Sequence, residues 1–347
     1  MIAITSFIAA VLLGATAVPA VAQAPAPYEV TPELVEAAKK EGKIVWYSAS
    51  DVQLAEGLAK AFQVKYPDIK VQVERSGSER VFQRITQEYA RRIHTADVIE
   101  TSDAVHFLVF KRQGWLLPAL PADVAKHWPK EARDADGQYA AYKAHMSVIG
   151  YNTKLVKPED APKSHKDLLD PKWRGRIVKA HPAYSGTILT GMDALLPLLG
   201  WEFYESLGKQ RVLQVQSSTE PPKKLAQGER PIMADGNEYN LLQLKDSGAP
   251  LEPVYASEGT PLVLSLGGIL KNAPNPNAAR LFYHWLYTKE AQQIVSEVSA
   301  ARSFHGEVKE WPGRPALTEI KVLYSDPVKL EPQIEEIKKR YEQYFGT

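Results

Sequence analysis

The chain has 347 residues, with 42 lysines and arginines against 41 aspartates and glutamates and no cysteine. This balance, with both signs interleaved, excludes the electrostatic footprint of a nucleic-acid or anionic-membrane binder. The missing thiols exclude disulfides, thiolate catalysis and cysteine-ligated zinc, and a mature length of about 320 residues predicts two domains.

In chain order, residues 1–22 carry no charge, and Ile2 to Val18 is an apolar run too short and small-residue-rich for a membrane span. They predict a signal peptide cleaved before Gln23 and export to a periplasm, with no later run long enough to cross a bilayer. Thr31-Pro32-Glu33 reads as a cap followed by proline at the first helical position, and Gly42 ends that helix. Ile44 to Ser48 (IVWYS) predicts a buried strand that stops at the small-residue loop Ser48-Ala49-Ser50-Asp51. Leu54, Leu58, Ala61 and Phe62 recur at helical spacing between Gln53 and Tyr66, and Ile69 to Val73 predicts a second strand. Arg75-Ser76-Gly77-Ser78 then leads into a helix with Val81, Phe82, Ile85 and Tyr89 on one face, and Ala96 to Ile99 predicts a third strand.

The order is βαβαβ, which builds a parallel sheet whose ligands bind off the carboxyl ends of the strands. Those ends place Ser48, Ser50, Ser76, Gly77, Ser78, Ser102 and Asp103 as candidate binding residues. Prolines punctuate the middle of the chain, and Trp173, Trp201 and the helical pattern from Thr187 to Leu207 predict a second α/β unit. Ala144 to Tyr151 reads as a crossover strand carrying His145 and Ser147. Leu262 to Leu270 is apolar again, and Ala278 to Val298 predicts one amphipathic helix. The chain has no G-x-S-x-G elbow, no H-E-x-x-H, no P-loop and no G-x-G-x-x-G. Neither an enzyme nor a resident cofactor is expected.

Several landmarks in order carry a resemblance: IVWYS after Glu41-Gly42-Lys43, Ser76-Gly77-Ser78 ahead of Arg84-Ile85, and Ala96-Asp97-Val98 before Ser102-Asp103-Ala104. Gly150-Tyr151-Asn152-Thr153, Leu169 to Gly175 (LDPKWRG), Ser185-Gly186-Thr187 and Lys271 to Phe282 (KNAPNPNAARLF) continue it, ending at Lys289-Glu290-Ala291-Gln292. Together they resemble the ferric-binding-type family of periplasmic ABC solute-binding proteins. The resemblance implies an α/β fold of the type 2 periplasmic-binding kind, two lobes each with a mixed sheet flanked by helices, joined by crossover strands. It implies an N-terminal lobe of residues 28–130 plus 256–305 and a C-terminal lobe of residues 131–255 plus 306–347. It also implies a monomer that hands its solute to permease and ATPase subunits at the inner membrane.

Ser185, Gly186 and Thr187, with Asn237, Glu238 and Tyr239, join the candidate site through this resemblance. Ferric-binding relatives carry paired tyrosines where this chain has Asn237-Glu238-Tyr239-Asn240, so one phenolate is missing for a hard cation that needs several anionic oxygens. Ser-Gly-Ser ahead of a helix is in most proteins an ordinary cap; in this family context it reads as an anion site. The expectation is therefore a small anionic solute, an organic carboxylate, phosphate ester or phosphonate, captured by hinge closure with Tyr239 orienting it. The alternative is ferric ion at Tyr239 with a synergistic anion, and a second alternative is an enzyme on the same scaffold.

Overall fold

A computed structural model describes residues 25–346, so the expected leader at residues 1–22 lies outside the described residues. Two mixed sheets, one of seven strands and one of five, are each flanked by helices. No described helix is long and apolar enough to cross a membrane.

In the seven-stranded sheet, Lys43–Ser48 lies between the parallel strands Lys70–Arg75 and Val98–Thr101. The register sets Ser48 beside both Arg75 and Glu100, so three strand ends arrive at one level. Thr260–Leu270 runs antiparallel to Val98–Thr101 and also pairs with Ala140–Met146. The five-stranded sheet follows the order Leu251–Val254, Ile149–Asn152, Ile232–Met233, Ile177–Ala180, Leu213–Val215.

Two passages of chain join the sheets. Ala140–Met146 continues through Ser147 and Val148 into Ile149–Asn152, while Leu251–Val254 returns into Thr260–Leu270. The passages pair with each other on both sides of the junction, giving a paired-strand connection. Ala140–Met146 and Val322–Leu323, both in stretches expected for the C-terminal lobe, are strands of the first sheet because each bonds to Thr260–Leu270.

Aromatic residues fill the first core, with Phe62 edge-on to Phe282 at 5.0 Å and Trp46 edge-on to Phe282 at 5.3 Å between ring centroids. Trp173, Phe203, Tyr204 and Tyr341 anchor the core of the second lobe. The helix expected from Ala278 to Val298 is two helices, Pro276–Leu286 and Lys289–Ser299. Thr288 takes an extended backbone and its hydroxyl accepts the Ala291 amide at 3.4 Å, so it caps a new helix. Apolar periodicity continues across the break, which is why spacing alone runs the two together.

Candidate functional site

Between the two sheets lies a polar pocket that encloses about 350 Å³ including its mouth. Three helices begin there: Ser78–Ala90 after Gly77, Gly186–Gly208 after Ser185, and Glu238–Asp246 after Asn237. None of the three cap residues accepts a backbone amide of its own helix through a side chain, and all three line the pocket. Each helix start therefore turns unpaired N–H groups and the positive end of its dipole toward the same space.

The charges at the site come from strands. Lys143 stands in the middle of Ala140–Met146, opposite Ser265 in Thr260–Leu270, and is only 1% exposed. Among the described residues its ammonium has no hydrogen bond or ion pair, and it lies 4.5 Å from the centre of the Tyr239 ring. Burial pulls its pKa below the usual lysine value, while Glu100 and Asp51 act in the opposite sense. Arg75 ends its strand at the pocket, its Nε donating to the backbone oxygen of Ser50 at 3.1 Å.

Among the described residues, Glu100 is the one carboxylate in the pocket wall. Its Oε2 accepts the Ser48 hydroxyl at 2.7 Å, the amides of Ala49 and Ser50 at 2.9 and 3.0 Å, and the Ser50 hydroxyl at 3.1 Å. Its Oε1 has no partner, and neither do Nδ1 of His145, Oδ1 of Asn237 or Oγ of Ser265, all from residues lining the pocket. A buried polar atom without a partner costs about 1–3 kcal/mol. Four such atoms around one space are the mark of a cavity built for something polar.

The expected residues divide into two groups. Gly77, Ser78, Ser102, Ser185, Thr187, Asn237 and Tyr239 line the pocket. Ser78 Oγ lies 2.9 Å from Ser102 Oγ within the first lobe, and Thr187 crosses from the second, donating to Ser102 at 3.4 Å and standing 3.2 Å from His145 Nε2. Gly186 stands beside them at the lobe contact, where a β-carbon would come within 2.7 Å of Asp103 Cβ and 2.9 Å of the Ser102 carbonyl. Only glycine lets this helix start dock against the other lobe. Burial first, then Asp51 and Glu100, raises the Tyr239 pKa above that of a free phenol, so its hydroxyl stays protonated; it accepts from Asn237 Nδ2 at 3.1 Å.

The other expected residues have their polar atoms engaged elsewhere. The Ser48 and Ser50 hydroxyls face Glu100, and that of Ser50 also meets the Tyr142 hydroxyl. Ser76 accepts from Arg80 Nε at 3.2 Å. Asp103 caps helix Ala104–Arg112 by accepting the Val105 amide at 2.9 Å. Glu238 is fully buried, takes a bidentate pair from Arg302 at 2.7 and 3.0 Å, and accepts the Tyr255 hydroxyl at 2.5 Å.

Sequence reasoning passed over Arg75, Glu100, Lys143 and the hydroxyl run Ser217-Ser218-Thr219. Signals for them exist: Lys143 and Glu100 are lone charges inside short buried strands, and Ser217-Ser218-Thr219 follows strand Leu213–Val215 as the small strand-end loops of the first lobe follow theirs.

The sequence profile of bacterial extracellular solute-binding proteins matches residues 57–316. A Haemophilus influenzae protein is 30% identical over 275 residues, covering 74% of this chain and 76% of that protein. The major ferric iron-binding protein of Neisseria gonorrhoeae is 25% identical, covering 74% of this chain and 79% of its own. Among solved structures, the periplasmic binding protein AfuA from Actinobacillus pleuropneumoniae, with exogenous fructose-6-phosphate bound, superposes with a TM-score of 0.80 at 25% identity. The match covers 88% of this chain and 99% of AfuA.

Proposed function

The chain belongs to the bacterial extracellular solute-binding proteins, which bind solutes rather than transform them, and we propose that it captures a small anionic solute between its lobes. The observation that carries this reading is Lys143, an unpaired ammonium 1% exposed at the pocket. A buried charge without a partner is costly, and an anionic ligand supplies the missing partner. Arg75 and the three helix starts add positive potential around it, so a phosphate, phosphonate or carboxylate group fits there.

The opposite chemistry also has a place. Oε1 of Glu100 and Oδ1 of Asn237 are free acceptors, which suits a solute body bearing hydroxyl or amino donors. Similarity to AfuA, whose structure holds fructose-6-phosphate, supports a phosphate ester of a polyol. The iron reading draws on relatives named for ferric ion, but an ammonium beside a protonated Tyr239 opposes a trivalent cation. By the same reading the protein works in the periplasm as a monomer, closes about the passages at Ser147-Val148 and between Val254 and Thr260, and delivers its solute to a permease and its ATPase.

Calorimetric titration with fructose 6-phosphate, inorganic phosphate, fructose and ferric citrate separates these readings. Heat is expected with phosphate-bearing, metal-free probes and not with fructose. Binding of ferric citrate alone, with the colour of a phenolate-to-iron transition, overturns the proposal.

A further inference from the structure

A second cluster of ligand-type side chains lies in the first lobe, built from residues that do not line the pocket between the sheets. Helix Ala122–His127 carries Asp123 and His127 one turn apart, and His305 comes alongside from the segment after the Ala144–Arg302 bridge. The ligand atoms of the three residues all lie within 4.8 Å of one another. The His127 and His305 rings stack with centroids 4.1 Å apart at an angle of 29°, and His305 Nε2 is 4.0 Å from Asp123 Oδ1.

Two further observations point to a ligand. Nε2 of His127 is buried without a hydrogen-bond partner, although the residue itself is half-buried. His305 is 5% exposed, so its ring is held in place against His127 rather than solvated. Two imidazoles held face to face with a carboxylate on the preceding turn give an N/N/O donor set, which suits zinc, nickel or copper and not calcium or magnesium.

We propose that Asp123, His127 and His305 bind one divalent transition-metal ion, with water completing the coordination. Tetrahedral ligation at about 2.0–2.1 Å sets donor atoms roughly 3.3 Å apart, so the cluster must tighten. The Asp123 side chain, 32% exposed, has room to turn inward. His305 Nδ1 accepts the Glu307 amide at 3.3 Å, so ligation at Nε2 moves the ring proton to Nδ1 and gives up that long hydrogen bond. Lys126 and Lys289, the cations on this face, are both paired with Glu307, at 3.7 and 3.5 Å. A bound ion would pin the helix to the segment leaving the hinge strand, and so stiffen the first lobe beside the hinge without entering the cleft.

The test is calorimetric titration of tag-free, chelator-treated protein with zinc chloride, repeated on Asp123→Asn and His127→Gln. The unaltered chain is expected to take up one zinc ion, each variant to lose at least about tenfold in affinity, and cobalt to give a d–d absorption spectrum that both variants lack. Far-ultraviolet circular dichroism and the urea unfolding midpoint report that the variants are folded. Absence of saturable zinc binding in the parent chain, or equal affinity in folded Asp123→Asn, overturns the proposal.

Discussion

At the scale of single residues, the site turns on Lys143. Replacing it by methionine removes the ammonium while keeping most of the volume. The account expects about a hundredfold weaker solute binding, near 3 kcal/mol, as for truncation of a buried charge that has a partner in the complex. The same change is expected to stabilise the solute-free protein, since an unpaired buried charge is lost. Calorimetry and urea unfolding check the two halves, and undiminished affinity sinks the role. The depressed pKa of Lys143 adds a pH signature. Between that value and the lysine value of 10.5 the unfolded chain holds more protons, so solute-free stability rises with pH across that window, and the rise is smaller in the methionine variant. His145 acts at the other end. Burial, then Lys143, puts its pKa well below 6.5, so the unfolded chain gains a proton there that the folded one refuses. Stability therefore falls as pH drops below 6.5, and His145→Gln is expected to flatten that fall in the urea midpoint. Sequence could name the strand-end serines but not their direction: Ser48 and Ser50 turn to Glu100, a partner that only the strand register reveals.

At the scale of elements, the helix starts were the most legible feature. Ser-Gly-Ser and Ser-Gly-Thr announce themselves by composition, and both begin helices at the pocket. Asn237 begins a third, which became visible only once strand Ile232–Met233 and helix Glu238–Asp246 were placed. The break at Thr288 was hidden because its apolar neighbours keep one period on either side. Gly186 belongs to this scale because it sets the distance between two elements. A β-carbon there would overlap Asp103 and the Ser102 carbonyl. Gly186→Val is expected to hold the lobes apart and lower solute affinity at least tenfold while leaving each lobe folded. Small-angle scattering checks it: the variant should keep the larger radius of gyration when saturating solute is added, and compaction equal to that of the parent contradicts the lobe-contact argument.

For the whole molecule, the alternation of strands and helices and the ordered landmarks were enough to read a two-lobed solute-binding protein. What they left out was the balance of charge inside the cleft. A net charge of +1 spread over 347 residues says nothing about one lysine and one glutamate lining the same pocket. The proposed anion reading rests on that local balance. The most direct test is a thermal-shift screen of the parent chain and Lys143→Met against sugar phosphates, phosphonates, carboxylates and ferric citrate, since a tight ligand raises the melting temperature by mass action. The account predicts that at least one metal-free anion stabilises the parent strongly and the variant little. Stabilisation by ferric citrate alone, equal in both proteins, would contradict it.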